Sequence, residues 1–216
     1  MSFLKNLFNK DTPKQRTLNH PKQLRINDIV VFNDSFALPE ILRGQQFQVT
    51  AVNSYEFEHQ VVSEWVLNGH DDTQLYLSLD EDDTTHLKIS LLVDEDHVGQ
   101  LFCLDQFSEV FDEPGQAILD RQTITSPLAQ WTCEAYRQNK FAQVGYFHRK
   151  DHRCTTLSEF EGKDAGEPFE LYALEGNHAQ FSIDVEVWQD GDTDVFVNLF
   201  RPLTDIVDYF PGSLDE

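Results

Sequence analysis

The segment "QFQVTAVNSYEF", residues 46–57, alternates between apolar and polar side chains. Phe47, Val49 and Phe57 take odd-numbered positions, whereas Gln48 and Glu56 take even-numbered ones. Successive side chains of a β-strand point to opposite faces of its sheet, so this two-residue period is typical of a strand with one covered face. We therefore predict a β-strand here and expect its partners in the segments that follow.

Three apolar segments continue this pattern downstream. "LYLSL" (75–79) and "LKISLLV" (87–93) alternate in the same way, and "VVSEWVLN" (61–68) is apolar on both faces, as in a central strand. The intervening "NGHDD" and "DEDDTT" are rich in turn-forming residues. We predict an antiparallel meander of about four strands, with "DIVVF" (28–32) as a candidate fifth.

The second half of the chain changes period once and then returns to strands. "DEDHVGQLFCLDQFSEVF" (94–111) spaces its apolar residues as a helix does, and alternating strands are expected again up to "VFVNLF" (195–200). "TDIVDYFPG" (204–212) is expected to form a short closing helix. The order strands, helix, strands, helix predicts the α+β class, a predominantly antiparallel β-sheet with a few short helices.

Charge divides the chain into a basic arm and an acidic body. Residues 1–25 carry six cations and one acid, a net charge of +5. Since the whole chain carries −22, the remainder carries −27. We expect residues 1–23 to form an arm and tether, followed by β-rich halves at 24–115 and 116–216. These halves are either two similar units or parts of one domain.

The arm is the segment most indicative of an interaction. Its apolar residues would share one face of a short helix, with basic residues beside them. Such a helix docks to an anionic membrane surface or to a groove on a partner protein. The residues expected to dock are Phe3, Leu4, Lys5, Leu7, Phe8 and Lys10.

The acidic body restricts the class of partner. Binding to nucleic-acid backbones requires cations that displace counterions, so a body with a charge of −27 argues against nucleic acid. The same charge opposes approach to an anionic membrane, which makes direct membrane contact weak or indirect. We expect a protein partner, including a membrane-associated one, and a second copy of the chain is an alternative.

Residues 146–157, "YFHRKDHRCTTL", contain a group of chemically active side chains. His148, His152 and Cys154 are weak candidates for a metal site, because neighbouring cations would repel a dication and the tip of a hairpin explains the segment better. Cations are also concentrated around this segment. This basic island could bind a phosphate or an acidic surface, or simply keep the hairpin soluble, and it comprises Arg137, Lys140, Arg149, Lys150 and Arg153.

Motifs for catalysis and for cofactor binding are missing from the sequence. It contains no nucleophile elbow, phosphate-binding loop or dinucleotide fingerprint, so we predict no cofactor and no catalytic residue, and an enzymatic role is disfavoured. Glu64 is the one acid inside an otherwise apolar strand, where burial could raise its pKa. A position at a sheet edge or in a salt bridge is the favoured interpretation of Glu64.

Cellular location follows from apolar runs and cysteines. No apolar run approaches the roughly 20 residues that a bilayer requires. The three cysteines, an odd number without a close pair, fit reduced thiols. We expect a cytoplasmic protein, either free or peripheral to an inner membrane.

The sequence resembles the YjfK-like family of bacterial proteins, which have no established activity. The resemblance lies in "FLKNLFNK", "LRINDIVVF", the meander from "QFQVTAVNSYEF" to "LYLSLDED", and "VDEDHVGQL". It implies a setting beside phage-shock homologues and small membrane proteins in bacterial gene clusters.

Two hypotheses follow. The leading one is a non-enzymatic accessory protein in an envelope-stress setting, whose arm docks to a membrane-associated partner or to the membrane. The alternative is an enzyme or a small-ligand-binding module with its site in a cleft between the two β-rich halves.

Overall fold

The computed structural model describes residues 16–70, 73–155, 157, 160 and 166–213. In this part of the chain eleven β-strands account for most of the regular secondary structure. They are β1 Ile29–Phe32, β2 Gln46–Phe57, β3 Gln60–Asn68, β4 Gln74–Glu81, β5 Thr85–Val93, β6 Ile118–Asp120, β7 Ala135–His148, β8 Glu167–Gly176, β9 Phe181–Trp188, β10 Thr193–Pro202 and β11 Ile206–Phe210.

The strands form one antiparallel sheet that closes on itself. Their order is β11-β1-β2-β3-β4-β5-β10-β9-β8-β7-β6, and β2 also pairs with β7 through Ser54–Glu56 and Tyr146–His148. This extra pairing closes β2–β5 and β7–β10 into an eight-stranded barrel, and leaves β1, β6 and β11 outside it. Each of the two predicted halves supplies four strands of the barrel wall.

The predicted α+β class is wrong, because the described chain is essentially all-β. Its α-helices are α1 Glu95–Leu101 and α2 Leu104–Ser108, and both are short. The predicted closing helix is also wrong. Leu203–Asp205 make a single 3-10 turn, and Ile206–Phe210 then pair with β1 as a strand. Pairing with the open edge of β1 thus determines the conformation of this segment, although its own sequence pattern favoured a helix.

None of the helices in the described residues has the length and apolar character needed to cross a bilayer.

The main hydrophobic core lies on the outer face of the barrel strands. Leu77, Ile89 and Val185, fully buried and on alternate positions of their strands, belong to one apolar cluster that also contains Leu101 and Trp131 from the connecting segments. The segments between strands therefore cover the outer face of the wall. The alternate residues, on the opposite face, point into the barrel.

A β-bulge in β2 decides which residues face the interior. The register with β3 shifts between Val49 and Ala51. Because a one-residue shift reverses the direction of every following side chain, Val49 belongs to the outer core, whereas Tyr55 faces inward. The barrel interior thus acquires an aromatic ring with a hydroxyl group.

Candidate functional site

A row of polar side chains crosses the inner face of four adjacent strands. Asn53 of β2 lies opposite Glu64 of β3, Glu64 lies opposite Ser78 of β4, and Ser78 lies opposite Lys88 of β5. Asn53 Nδ2 donates a hydrogen bond of 3.0 Å to Glu64 Oε1. On each strand the adjacent residues in sequence point the other way, as Trp65 next to Glu64 does, into the hydrophobic core on the outer face. The alternation of each strand thus places its polar side on the interior.

Residues from opposite sides of the barrel meet this row. The Tyr55 hydroxyl on β2 donates a 3.3 Å hydrogen bond to Glu186 Oε2 on β9. Lys88 on β5 forms a salt bridge with Asp184, also on β9. β7 and β8 separate β2 from β9, so the Tyr55–Glu186 contact spans the interior, whereas the Lys88–Asp184 pair crosses the single intervening strand β10. Glu64 and Glu186 are buried, with 7% and 6% of their surface exposed.

Aromatic rings line the same interior. The Tyr55 and Phe169 ring centroids are 5.5 Å apart, and those of Phe169 and Trp188 are 5.3 Å apart. Tyr76 and Phe196, across β5, make another edge-to-face pair at 5.3 Å. Edge-to-face packing of this kind holds aromatic rings in fixed positions. The charged groups therefore lie between rigid apolar surfaces.

A half-open cavity of about 1470 Å³ extends from this interior through the wall to the surface, where exposed residues such as Asp82 and Gln180 also line it. The ladder between β3 and β4 ends at Glu64 and Ser78, although both strands continue past those residues. Residues 60–63 and 79–81, which face each other across this gap, all line the cavity. The wall is therefore open beside Glu64.

The rim of this opening carries charged groups. Lys22 and Glu81 form an exposed salt bridge there. The Arg153 guanidinium lies 5.4 Å from the centre of the Trp65 ring, and Arg153 Nη1 donates a 2.7 Å hydrogen bond to the Lys22 carbonyl. Lys22, Arg153 and Glu81 also line the cavity. A molecule entering from this side would meet both signs of charge before it reached Glu64.

Burial changes the protonation of the interior acids. Loss of hydration raises the pKa of Glu64 to about 7, although the Asn53 hydrogen bond, the Lys88 charge and the Tyr55 hydrogen bond each lower it. Burial likewise raises the pKa of Glu186 well above its ordinary value, and repulsion from Glu64 and Asp184 adds to this increase. Both carboxyl groups therefore hold protons at a pH where exposed glutamates are ionised.

The pKa values of Lys88 and Tyr55 are also changed by burial and by the neighbouring charges. Burial lowers the pKa of Lys88, but the charges of Asp184, Glu186 and Glu64 outweigh this effect, so its pKa is raised overall. The pKa of Tyr55 is raised well above its ordinary value by burial and by the nearby carboxylates. Lys88 therefore stays charged and the Tyr55 hydroxyl stays a hydrogen-bond donor at neutral pH.

One buried acceptor in the same sheet face lacks a partner. Asn198 on β10 is fully buried, and its Nδ2 donates a 3.0 Å hydrogen bond to Ser182 Oγ. Its Oδ1 accepts no hydrogen bond from any described residue. Buried acceptors are rarely left unpaired in folded proteins. The polar interior is thus incompletely satisfied by the described protein atoms.

Comparison with known proteins adds nothing to this geometry. No family model, no curated protein and no solved structure matches this chain. The resemblance to the YjfK-like family therefore stays a prediction.

The structure does not assemble the three weak metal candidates into a metal site within the described residues. His148 ends β7 on the outer face, where its Nε2 lies 2.9 Å from Glu56 Oε2. The His152 ring packs against it with centroids 4.8 Å apart, but His152 Nδ1 bonds to Thr155 Oγ1, and Cys154 is exposed. Within the described residues, no three histidine, cysteine or acidic side chains are placed to hold a metal.

The basic island is distributed along β7 and the loop that follows it. Arg137 lies opposite Glu175, and Lys140 lies at the cavity with its Nζ 5.9 Å from the centre of the Phe57 ring. Beyond the end of β7, Lys150 is exposed, Arg149 pairs with Glu167 at 3.3 Å and Arg153 pairs with Asp151 at 2.6 Å. Nearby acids therefore offset much of this positive charge.

The predicted docking residues, Phe3, Leu4, Lys5, Leu7, Phe8 and Lys10, lie outside the described residues. Their amphipathic helix, and the partner that it would bind, stay predictions.

One member of the interior site, Glu64, stands out in the sequence, but the favoured interpretation of its position was wrong. Glu64 is neither at a sheet edge nor in a salt bridge of the described chain, since Lys88 pairs with Asp184 instead. Lys88, Asp184 and Glu186 were missed, because a polar face on an alternating strand is ordinarily taken to face solvent. The available signal was the oppositely charged residues on the polar faces of β5 and β9.

Proposed function

We propose that this protein binds a small molecule inside its barrel. The observation that carries the proposal is the convergence of Glu64, Lys88, Asp184 and Glu186, from three strands, on a cavity of about 1470 Å³. An eight-stranded barrel either fills its interior with side chains or holds one small ligand. The interior of this barrel combines open space, convergent polar groups and an opening to the surface, which favours the second use.

The energetics of the interior support a binding role. Burying a charged or polar group is unfavourable unless a partner compensates for its lost hydration. A barrel needed only for stability would fill this space with apolar side chains, as the outer face of the same strands does. The buried acids are retained at a cost to folding, and a bound molecule that contacts them would offset that cost.

This proposal selects the alternative hypothesis from the sequence analysis. The barrel wall is formed by strands β2–β5 of the first predicted half and β7–β10 of the second, so the cavity lies between the two halves, as that hypothesis expected. Docking through residues 3–10 concerns a different part of the chain and is compatible with it. We propose binding without assigning a reaction.

A substitution that fills the cavity tests this proposal. Ser78 lies between Glu64 and Lys88 in the inner row, so Ser78→Phe places a ring at the centre of the site. We expect at least one of five probes (tetramethylammonium, putrescine, glucose, acetate and inorganic phosphate) to raise the Tm of the wild type, and Ser78→Phe to remove the increase.

Thr193→Phe is the matched control, because Thr193 is exposed and does not line the cavity. This variant should respond to the probe as the wild type does. If the wild type responds to none of the five probes, or if Ser78→Phe retains the full response, the proposal is wrong.

A further inference from the structure

We infer that the ligand of the barrel interior is an organic ammonium ion. This inference rests on the proposed function and specifies the chemical class of the bound molecule. It follows from the charges inside the cavity, the rings around them, and the absence of a metal-binding geometry in the described residues.

The interior has more acid than base. Asp184 is paired with Lys88, which leaves Glu64 and Glu186 without a cation in direct contact among the described residues. Glu64 accepts a hydrogen bond from Asn53, and among the described residues Glu186 accepts only the long bond from Tyr55. A positively charged group placed between the two carboxylates would satisfy both of them. An anion would gain no opposite charge from the same pair and would oppose their ionisation.

The interaction between Glu64 and Glu186 gives the position of this group. Glu64 on β3 and Glu186 on β9 are four strands apart in either direction around the barrel, yet each is close enough for its charge to act on Tyr55. Their carboxyl groups therefore approach each other across the interior. A cation bound there would contact acids from both halves of the wall.

Aromatic rings surround the two acids on both sides. Tyr55, Phe169 and Trp188 form one group, and Tyr76 with Phe196 forms the other. Rings of this kind attract an ammonium group through their quadrupole and also pack against the methyl or methylene carbons attached to it. Carboxylates combined with aromatic rings favour an organic cation over a hydrated inorganic one.

A bare metal ion fits the cavity poorly. Calcium takes six to eight oxygen ligands and magnesium requires near-octahedral geometry. The described residues provide no group of three or more acidic, histidine or cysteine side chains placed to hold an ion. The cavity is also much larger than a single ion. Another acidic residue, Asp80, lines the cavity at the wall opening, so an elongated diamine can place one nitrogen there and one between the buried acids.

Binding of a cation should release protons. Its charge favours the ionised forms of Glu64 and Glu186, which are protonated in the empty site. The raised pKa values of Tyr55, Tyr76 and Lys88 keep these three groups protonated in both states. The other groups that face the two acids are Ser78, Asn53 and Asp184. Proton release distinguishes binding at these acids from loose attraction to the acidic outer surface.

Isothermal titration calorimetry with putrescine and with tetramethylammonium, at pH 6.5 in 0.15 M salt, tests the inference. We expect wild-type binding whose heat depends on the ionisation enthalpy of the buffer. Glu186→Gln preserves the shape of the side chain and should weaken binding at least tenfold, as should Glu64→Gln. Glu58→Gln is the control, because Glu58 is exposed on the turn after β2.

Three outcomes would overturn the inference. If glucose, acetate or phosphate binds and the ammonium probes do not, the ligand belongs to another class, while the proposed function stands. If the ammonium probes bind equally well to Glu186→Gln and Glu58→Gln, they bind the acidic surface instead. If no probe binds the wild type, both proposals fail. Ser78→Phe gives a second route to the same decision if Glu186→Gln does not fold.

Discussion

Replacing Asp205 by alanine is expected to lower the free energy of unfolding by about 3–5 kcal/mol. Asp205 is buried after β10, where its Oδ2 accepts a 2.6 Å hydrogen bond from Arg201 Nε and its Oδ1 accepts a 2.8 Å bond from Asn33 Nδ2. Removing the carboxylate leaves the buried Arg201 charge uncompensated. Urea denaturation followed by circular dichroism measures the loss.

Two further variants separate the charge effect from other causes. Asp208→Ala removes an exposed acid from β11 and should change stability by less than about 0.5 kcal/mol. The double variant Arg201→Met, Asp205→Leu replaces the pair by apolar residues and should lose less than Asp205→Ala alone. If Asp205→Ala proves no more destabilising than Asp208→Ala, the carboxylate of Asp205 does not compensate a buried Arg201 charge.

Glu64→Gln is expected to stabilise the protein at pH 8 and to change it little at pH 4.5. The pKa of Glu64 is about 7 in the fold and 4.5 without it. Between these values the folded chain holds a proton that the unfolded chain has lost, so the contribution of Glu64 to stability declines as pH rises. This difference between the folded and unfolded pKa corresponds to a loss of about 3 kcal/mol in the free energy of unfolding at high pH. Glutamine does not ionise, so Glu64→Gln avoids this loss of stability as pH rises.

The difference between the two pH dependences is the quantity to measure. Urea denaturation of the wild type and of Glu64→Gln from pH 4.5 to pH 8 should give curves that diverge as pH rises. Glu58→Gln should follow the wild type, because Glu58 is exposed. Parallel curves for the wild type and Glu64→Gln would mean that Glu64 ionises as a solvated carboxyl group.

The opposite effects expected for Glu64→Gln are characteristic of a binding site. The variant should gain stability at pH 8 and lose affinity for ammonium probes. Residues that serve binding are often retained at a cost to the stability of the empty protein. A purely structural role for Glu64 would instead predict that both properties decline together.

The strands were largely predictable from sequence, whereas their closure into a barrel was not. The meander β2–β5 is built from local hairpins, whose period and turn residues are visible in the chain. The pairings of β5 with β10 and of β2 with β7 join distant segments, and no local pattern specifies them. The same limit applies to β11, which takes its conformation from the open edge of β1.

The site was harder to predict, for a physical reason. Alternation of apolar and polar residues gives the period of a strand but does not say which face meets solvent. In β9, Ile183 and Val185 look like a core face and Asp184 and Glu186 look like a solvent face, yet both faces are covered here. In β2 the bulge after Val49 reverses the faces halfway along, which no simple count of odd and even positions detects.

Carboxyl carbon NMR of Glu64, titrated with pH in the absence and presence of putrescine, tests the central claim most directly. In the empty protein Glu64 should titrate near pH 7 because it is buried without a cation in contact. The midpoint of its titration should fall when putrescine binds. A midpoint near the ordinary value of 4.5, unchanged by putrescine, would contradict both the buried acid site and its ligand.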